Sequence, residues 1–227
     1  MITSKHDDYS QQYRSHRRPF PGPWSIMAFG VQIPQSTRIL GLLVVTFLLI
    51  GCASTTVTTT GLPLKEPLCQ PSKPSIPTVV YWGTKWRPDQ KEPKLREAAA
   101  MRGIQDFLSR SGCLLVLTVN RLAPEQAQAS NEELMHWASS ANPKPDRIVR
   151  IVVRELGPRL LIGIPVIVEG GTEVVVEVNV LDAMTSQLLA NTQTTWRNGG
   201  PFVIKGIKTL EQDMSAALAA TLMVNGH

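Results

Sequence analysis

Thr172 to Leu181 reads TEVVVEVNVL, and Arg147 to Leu156 reads RIVRIVVREL. In the first, Val174, Val176, Val178 and Val180 fall on one side of an extended chain, opposite Glu173, Glu177 and Asn179. In the second, Val149, Ile151 and Val153 oppose Arg150 and Arg154. Alternation at period two, carried by β-branched residues, is the pattern of half-buried strands. Leu188 to Trp196 is a weaker third strand, and Asp182-Ala183-Met184-Thr185-Ser186 before it supplies the turn chemistry of a hairpin. Asp182 and Thr185 read as side chains that close that turn onto the backbone rather than as a polar site. Arg150 and Arg154 read first as ion-pair partners of Glu173 and Glu177 across the strands, and second as a surface for anionic glycans or lipid headgroups.

Upstream the period changes. Thr78 to Trp86 (TVVYWGTKW) is rich in branched and aromatic residues and reads as a strand. Pro93 then suits the first turn of a helix, with Glu92 and Glu97 near its positive end. Leu95, Ala98, Met101, Ile104, Phe107 and Leu108 recur at three-to-four spacing as its apolar face, and Gly112 marks its end. Leu114 to Val119 (LLVLTV) reads as a strand buried on both faces. A short helix over Ala129 to Ala141, capped by Ser130 or Asn131, stops before Pro143 and Pro145. After the hairpin, Thr209 caps a closing helix whose apolar face is Leu210, Met214, Ala217, Leu218 and Leu222. The order is β-α-β-α-β-β-β-α: an α+β fold, a mixed sheet with helices packed on it and one face partly open to solvent.

The amino-terminal third does not belong to that fold. Ile39 to Ile50 (ILGLLVVTFLLI) is an apolar run of 12 residues behind Arg38. That is too short to span a bilayer of about 30 Å as a helix, and it fits a secretory signal. Leu49-Ile50-Gly51-Cys52 then resembles the bacterial lipobox. The resemblance implies cleavage after Gly51, a diacylglycerol thioether on Cys52, and further acylation of the palmitate type. Met27 is a more ordinary start for such a signal than Met1, because residues 1–26 are polar and fit no targeting scheme. Three segments follow: 1–51, extension and signal; 52–77, a lipidated Thr/Pro-rich tether; and 78–227, a single domain. Ala53, rather than Asp, follows the cysteine, which by analogy with proteobacterial sorting points to the periplasmic face of the outer membrane.

The formal net charge of +5 misleads, because residues 1–51 hold five Lys/Arg and two acids. Residues 52–227 carry 18 basic against 16 acidic side chains, a net of +2 without blocks of like sign. Nucleic-acid binding therefore has no electrostatic footprint. Beyond Cys52 the cysteines are Cys69 and Cys113, one before the first strand and one opening the second. If those strands are parallel, a disulfide between them is sterically sensible, and an extracytoplasmic address allows it. The other reading is two unrelated free thiols. A metal site is disfavoured, since His136 and His227 stand at no ligand spacing from a cysteine. Neither a cofactor nor a small-molecule substrate is indicated. His136 lacks a G-x-S-x-G elbow to serve, so catalysis is not expected.

The element order, the lipobox and the hairpin pattern Val176, Val178, Val180, Asp182, Thr185, Leu189 resemble envelope lipoproteins related to the curli-secretion protein CsgG and the peptidoglycan-synthase activator LpoB. The resemblance covers about Thr78 to Leu222, and departs where many relatives have Gly and this chain has Ser186. It implies a membrane-anchored adaptor or accessory factor in envelope assembly, secretion or peptidoglycan synthesis, with an envelope protein as partner. An oligomeric outer-membrane secretion channel is the alternative. Two features are left open. Tyr81, Trp82 and Trp86 are either core or an aromatic binding surface. The uncharged segment Leu160-Leu161-Ile162-Gly163-Ile164-Pro165-Val166-Ile167-Val168 reads first as buried core, then as a partner surface (Leu160, Leu161, Ile162, Ile164 and Val166), and last as membrane-inserting.

Overall fold

The β-branched runs form the strands they predict, and one strand more is added. The computed structural model describes residues 53–68, 74–163, 167–201 and 203–223. Its strands are β1 (Ser54–Leu62), β2 (Ile76–Thr84), β3 (Leu114–Arg121), β4 (Arg147–Gly163), β5 (Ile167–Asp182) and β6 (Leu188–Pro201). The helices among the described residues are α1 (Pro93–Arg110), α2 (Asn131–Ala138) and α3 (Leu210–Leu222). They pack on a mixed six-stranded sheet of order β1-β6-β5-β4-β2-β3, and the fold is α+β. β2 runs parallel to both β3 and β4, whereas β4, β5, β6 and β1 are successively antiparallel.

The alternation decides which face is dry. Val149, Ile151 and Val153 of β4 and Val174, Val176, Val178 and Val180 of β5 are all buried beneath α1 and α3. Ile104 and Phe107 of α1 and Met214 and Leu218 of α3 close that core. Gly103 lets the two helices touch: a Cβ there would lie 2.6 Å from both the Glu211 carbonyl oxygen and Met214 Cβ. The opposite face is covered only in part. Val79, Tyr81, Ile148 and Leu181 pack against Leu134 and Ala138 of α2, and the Tyr81 and Trp137 rings meet at 5.7 Å. Ser130 and Glu133 form a reciprocal capping box at the start of α2. Eight residues of helix do not reach the far half of the sheet, where Glu173, Glu177, Arg154 and Arg197 remain on an open face.

Four expectations are corrected. Ser54–Leu62, read as part of the tether, is the edge strand β1, paired with β6 from Ser54↔Gly199 to Leu62↔Asn191. Its threonines have the branching that suits a pleated edge, but every residue is exposed, so no apolar period announces it. Leu114–Arg121 is not buried on both faces. It is the other edge of the sheet, and Leu115 and Val119 are exposed. On α1, Leu95 and Met101 are also exposed, and the buried face is Arg96, Ala99, Ala100, Gly103, Ile104, Phe107 and Leu108. Small residues bring the helix close enough to bury that face. Finally, β4 and β5 do not end near Leu156 and Thr172 but continue as one long hairpin to Gly163 and Ile167.

A bulge between Val153 and Glu155 lets β4 change its register before that extension. Arg96, almost completely buried, secures it: Nη1 donates to the Leu156 carbonyl at 2.6 Å and to Glu155 Oε1 at 3.0 Å, and Nε donates to the Lys91 carbonyl at 2.8 Å. Glu155 also accepts from Arg87 and Gln90. Gly157 leaves room for the guanidinium, since a Cβ would fall 1.6 Å from Arg96 Nη1.

Candidate functional site

The sheet has two unlike ends, and its register says which residues share each. Ser54 pairs with Gly199, Gly199 with Gly171, and Gly171 with Arg159, so one row crosses β1, β6, β5 and β4. Beyond that row β4 runs on through Leu160, Leu161 and Ile162, paired with Gly170, Glu169 and Val168. These three side chains are 58%, 43% and 70% exposed. The buried-core reading of Leu160, Leu161 and Ile162 is thereby corrected: among the described residues no helix covers them, so the ladder is satisfied while the apolar side chains face outward. Ile164 and Val166 lie outside the described residues.

Local chemistry builds this end. Glycines stand where strands crowd: a Cβ on Gly199 would lie 2.1 Å from the Gly170 carbonyl oxygen, and one on Gly170 just as close to that of Val203. Val203 N donates to the Gly200 carbonyl, which keeps the segment leaving β6 at the same end. Ile204, the next residue, is 87% exposed. Sequence reasoning missed Ile204, because the short run Phe202-Val203-Ile204 between Pro201 and Lys205 carries no periodic signal. Leu161, Arg159, Arg197 and Ser54 line one shallow depression, which confirms that the hairpin and the start of β1 are neighbours. Behind the apolar tip the charges are paired. Glu173 meets Arg197 at 2.9 Å and Arg159 at 3.5 Å, and Arg154 meets Glu177.

The opposite end is polar and tightly turned. Asp182 Oδ1 accepts from Met184 N, Thr185 N and Thr185 Oγ1 at 2.9 to 3.0 Å, while Oδ2 meets Arg147 Nη1 at 2.7 Å. Burial pushes the Asp182 carboxyl upward, but the Thr185 hydrogen bonds, the Arg147 charge and the Met184 amide together hold it below its ordinary value. Ser186 takes a left-handed backbone at φ 60°. Nearby, Leu62, Leu64, Leu68, Ile76 and Leu189 line an apolar cleft of about 530 Å³.

The remaining sequence-predicted residues separate. Tyr81 and Trp82 are core, Trp86 is half-buried, and the Trp86 indole nitrogen is buried with no hydrogen-bond acceptor. Arg154 makes the expected ion pair with Glu177, but Arg150 instead donates to the Ala129 carbonyl. Burial lowers the Arg150 guanidinium from its ordinary value; Glu177 opposes that shift and Arg154 adds to it. His136 is exposed on α2. Among the described residues, no group of three or more His, Cys, Asp and Glu is arranged to hold a metal ion, and no helix is long and apolar enough to cross a membrane. Gly51, Cys52 and Cys69 lie outside the described residues. Cys113 is buried just before β3. The Ile76 amide donates to its carbonyl at 2.8 Å, and Ile76 faces Leu114 across parallel strands.

No family model and no curated protein matches this chain. Solved structures similar to it include a PelC dodecamer from Paraburkholderia phytofirmans, 13% identical, with a TM-score of 0.40, covering 75% of this chain and 99% of that one. A second is the lipoprotein GNA1162 from Neisseria meningitidis, 14% identical, with a TM-score of 0.36, covering 63% of this chain and 95% of that one. A third is protein XCC0632 from Xanthomonas campestris, 13% identical, with a TM-score of 0.32, covering 70% and 86% respectively.

Proposed function

We propose that this chain is a lipid-anchored periplasmic lipoprotein of the outer membrane, acting without catalysis as an adaptor or accessory factor in envelope assembly, secretion or peptidoglycan synthesis. The observation that carries this reading is the position of the lipobox cysteine. Leu49-Ile50-Gly51-Cys52 closes a short apolar run, and the first strand of the domain begins two residues later at Ser54. A diacylglycerol on Cys52 would therefore hold the sheet itself, with almost no tether between lipid and fold. The conspicuous polar side chains support a non-catalytic role, since Asp182, Thr185, Arg147, Arg96 and Glu155 all bind the framework together. Cys69 and Cys113 are proposed to form a disulfide, which would hold the segment before β2 to the start of β3.

The second reading, a subunit of an oligomeric secretion channel, draws on the β4–β5 hairpin, whose strands of 17 and 16 residues run past the rest of the sheet. One experiment addresses both. Wild type and Cys52→Ala are expressed from the full gene and fractionated, and the membrane fraction is passed through gel filtration in detergent. The adaptor reading expects wild type in the outer membrane as a small species, with Cys52→Ala unprocessed or released. Normal processing and membrane retention of Cys52→Ala would remove the anchor, and elution of wild type as a large ring would favour the channel.

A further inference from the structure

The exposed apolar end of the sheet is the end at which β1 begins, two residues after the proposed lipidation site Cys52. β1 begins at Ser54, in the row that contains Arg159 of β4. Cys52 precedes Ser54 by two residues, and two residues of chain span at most about 7 Å. Strands rise about 3.3 Å per residue, which carries Ile162 about 10 Å beyond the same row. Any bilayer that holds acyl chains on Cys52 therefore meets the hairpin at a depth comparable with the roughly 5–10 Å to which interfacial apolar faces sink. We propose that Leu160, Leu161, Ile162 and Ile204 seat in the bilayer interface beside the lipidated cysteine and stand the sheet upright on the membrane.

A lipid surface is the occupant the page favours. The apolar residues point outward from more than one element, as a flat fluid surface allows and a shaped protein groove does not require. Lys205 follows Ile204, and Lys208 is exposed four residues after Ile204, so cationic side chains that suit headgroup phosphates lie beside this apolar residue in the chain. The apolar surface of the opposite end is a concave cleft, lined by Leu62, Leu64 and Leu189, rather than a protruding tip, and its exposed Met184 lies within the hydrogen-bonded Asp182–Thr185 turn.

This inference rests on the anchor proposed above, and the test keeps the two apart. The full chain is purified as the membrane form and reconstituted into phosphatidylethanolamine/phosphatidylglycerol vesicles. Ile162→Cys and Met184→Cys each carry the environment-sensitive fluorophore NBD, with Leu160→Cys as a second reporter should Ile162→Cys disturb the hairpin. The mass of the amino-terminal peptide is read on the same samples. The expected result is a blue-shifted, several-fold brighter emission at position 162, quenched by spin-labelled lipid, with position 184 remaining aqueous. Aqueous emission at both 162 and 160 in vesicles whose protein carries the acyl mass on Cys52 would overturn the seating alone. So would an apolar shift that appears only after envelope proteins are added, since it would assign the tip to a protein. An amino-terminal peptide without acyl mass would overturn the anchor and the seating together.

Discussion

The carboxylate of Asp182 closes one turn and pins it to a neighbouring strand. Three donors from Met184 and Thr185 converge on Oδ1, and Arg147 holds Oδ2. An Asp in the turn was legible because Asx chemistry is local, whereas the Arg147 partner was not, since it comes from a residue far away in sequence. Replacing Asp182 by Ala should cost about 1–3 kcal/mol, read by urea denaturation near neutral pH, because several donors lose their acceptor at once. The acid dependence follows from the depressed native value. The Asp182 contribution is complete above the unfolded value near pH 4 and is lost as pH falls through the lower native one. Asp182→Asn should therefore lose less stability than wild type between pH 5 and pH 2 (roughly the span bracketing those values). Equal slopes for the two proteins would show that the charge at 182 is not what the fold reads.

At the scale of elements, legibility followed burial. β5 and the first part of β4 announced themselves because one face lies in the core and the other in water, which writes period two into the sequence. β1 did not, because an edge strand exposed along its whole length has no apolar face to mark it. β3 misled for the opposite reason: its apolar run resembles a central strand, and only the sheet order reveals an edge. The hairpin tip was visible as an uncharged stretch, but its exposure depends on where α1 and α3 stop, which no local pattern encodes. The parallel pairing of β2 with β3 sets Ile76 beside Leu114, immediately after Cys113. The proposed Cys69–Cys113 bond should thus protect both thiols from alkylation in the unreduced protein, and reducing it should lower stability by up to about 4 kcal/mol. Free labelling of both cysteines before reduction would end that proposal.

For the whole molecule, the register of four strands turns a sequence motif into an orientation. The proposed lipobox ends two residues before β1, so the start of β1 would set which end of the sheet it serves. With the proposed anchor on Cys52, the glycine-rich, apolar end would face the lipid, and the Asp182 turn and the cleft lined by Leu62, Leu64 and Leu189 would face away, toward an envelope partner. In the proposed arrangement acyl chains would supply most of the attachment, and each exposed apolar side chain transferred from water would add on the order of 1 kcal/mol. The direct measurement is the mass of the amino-terminal peptide of the protein isolated from envelopes. The account predicts that it begins at Cys52 with a diacylglyceryl group on the sulfur; a mature chain that retains residues before Cys52, or begins at an unmodified cysteine, would contradict it.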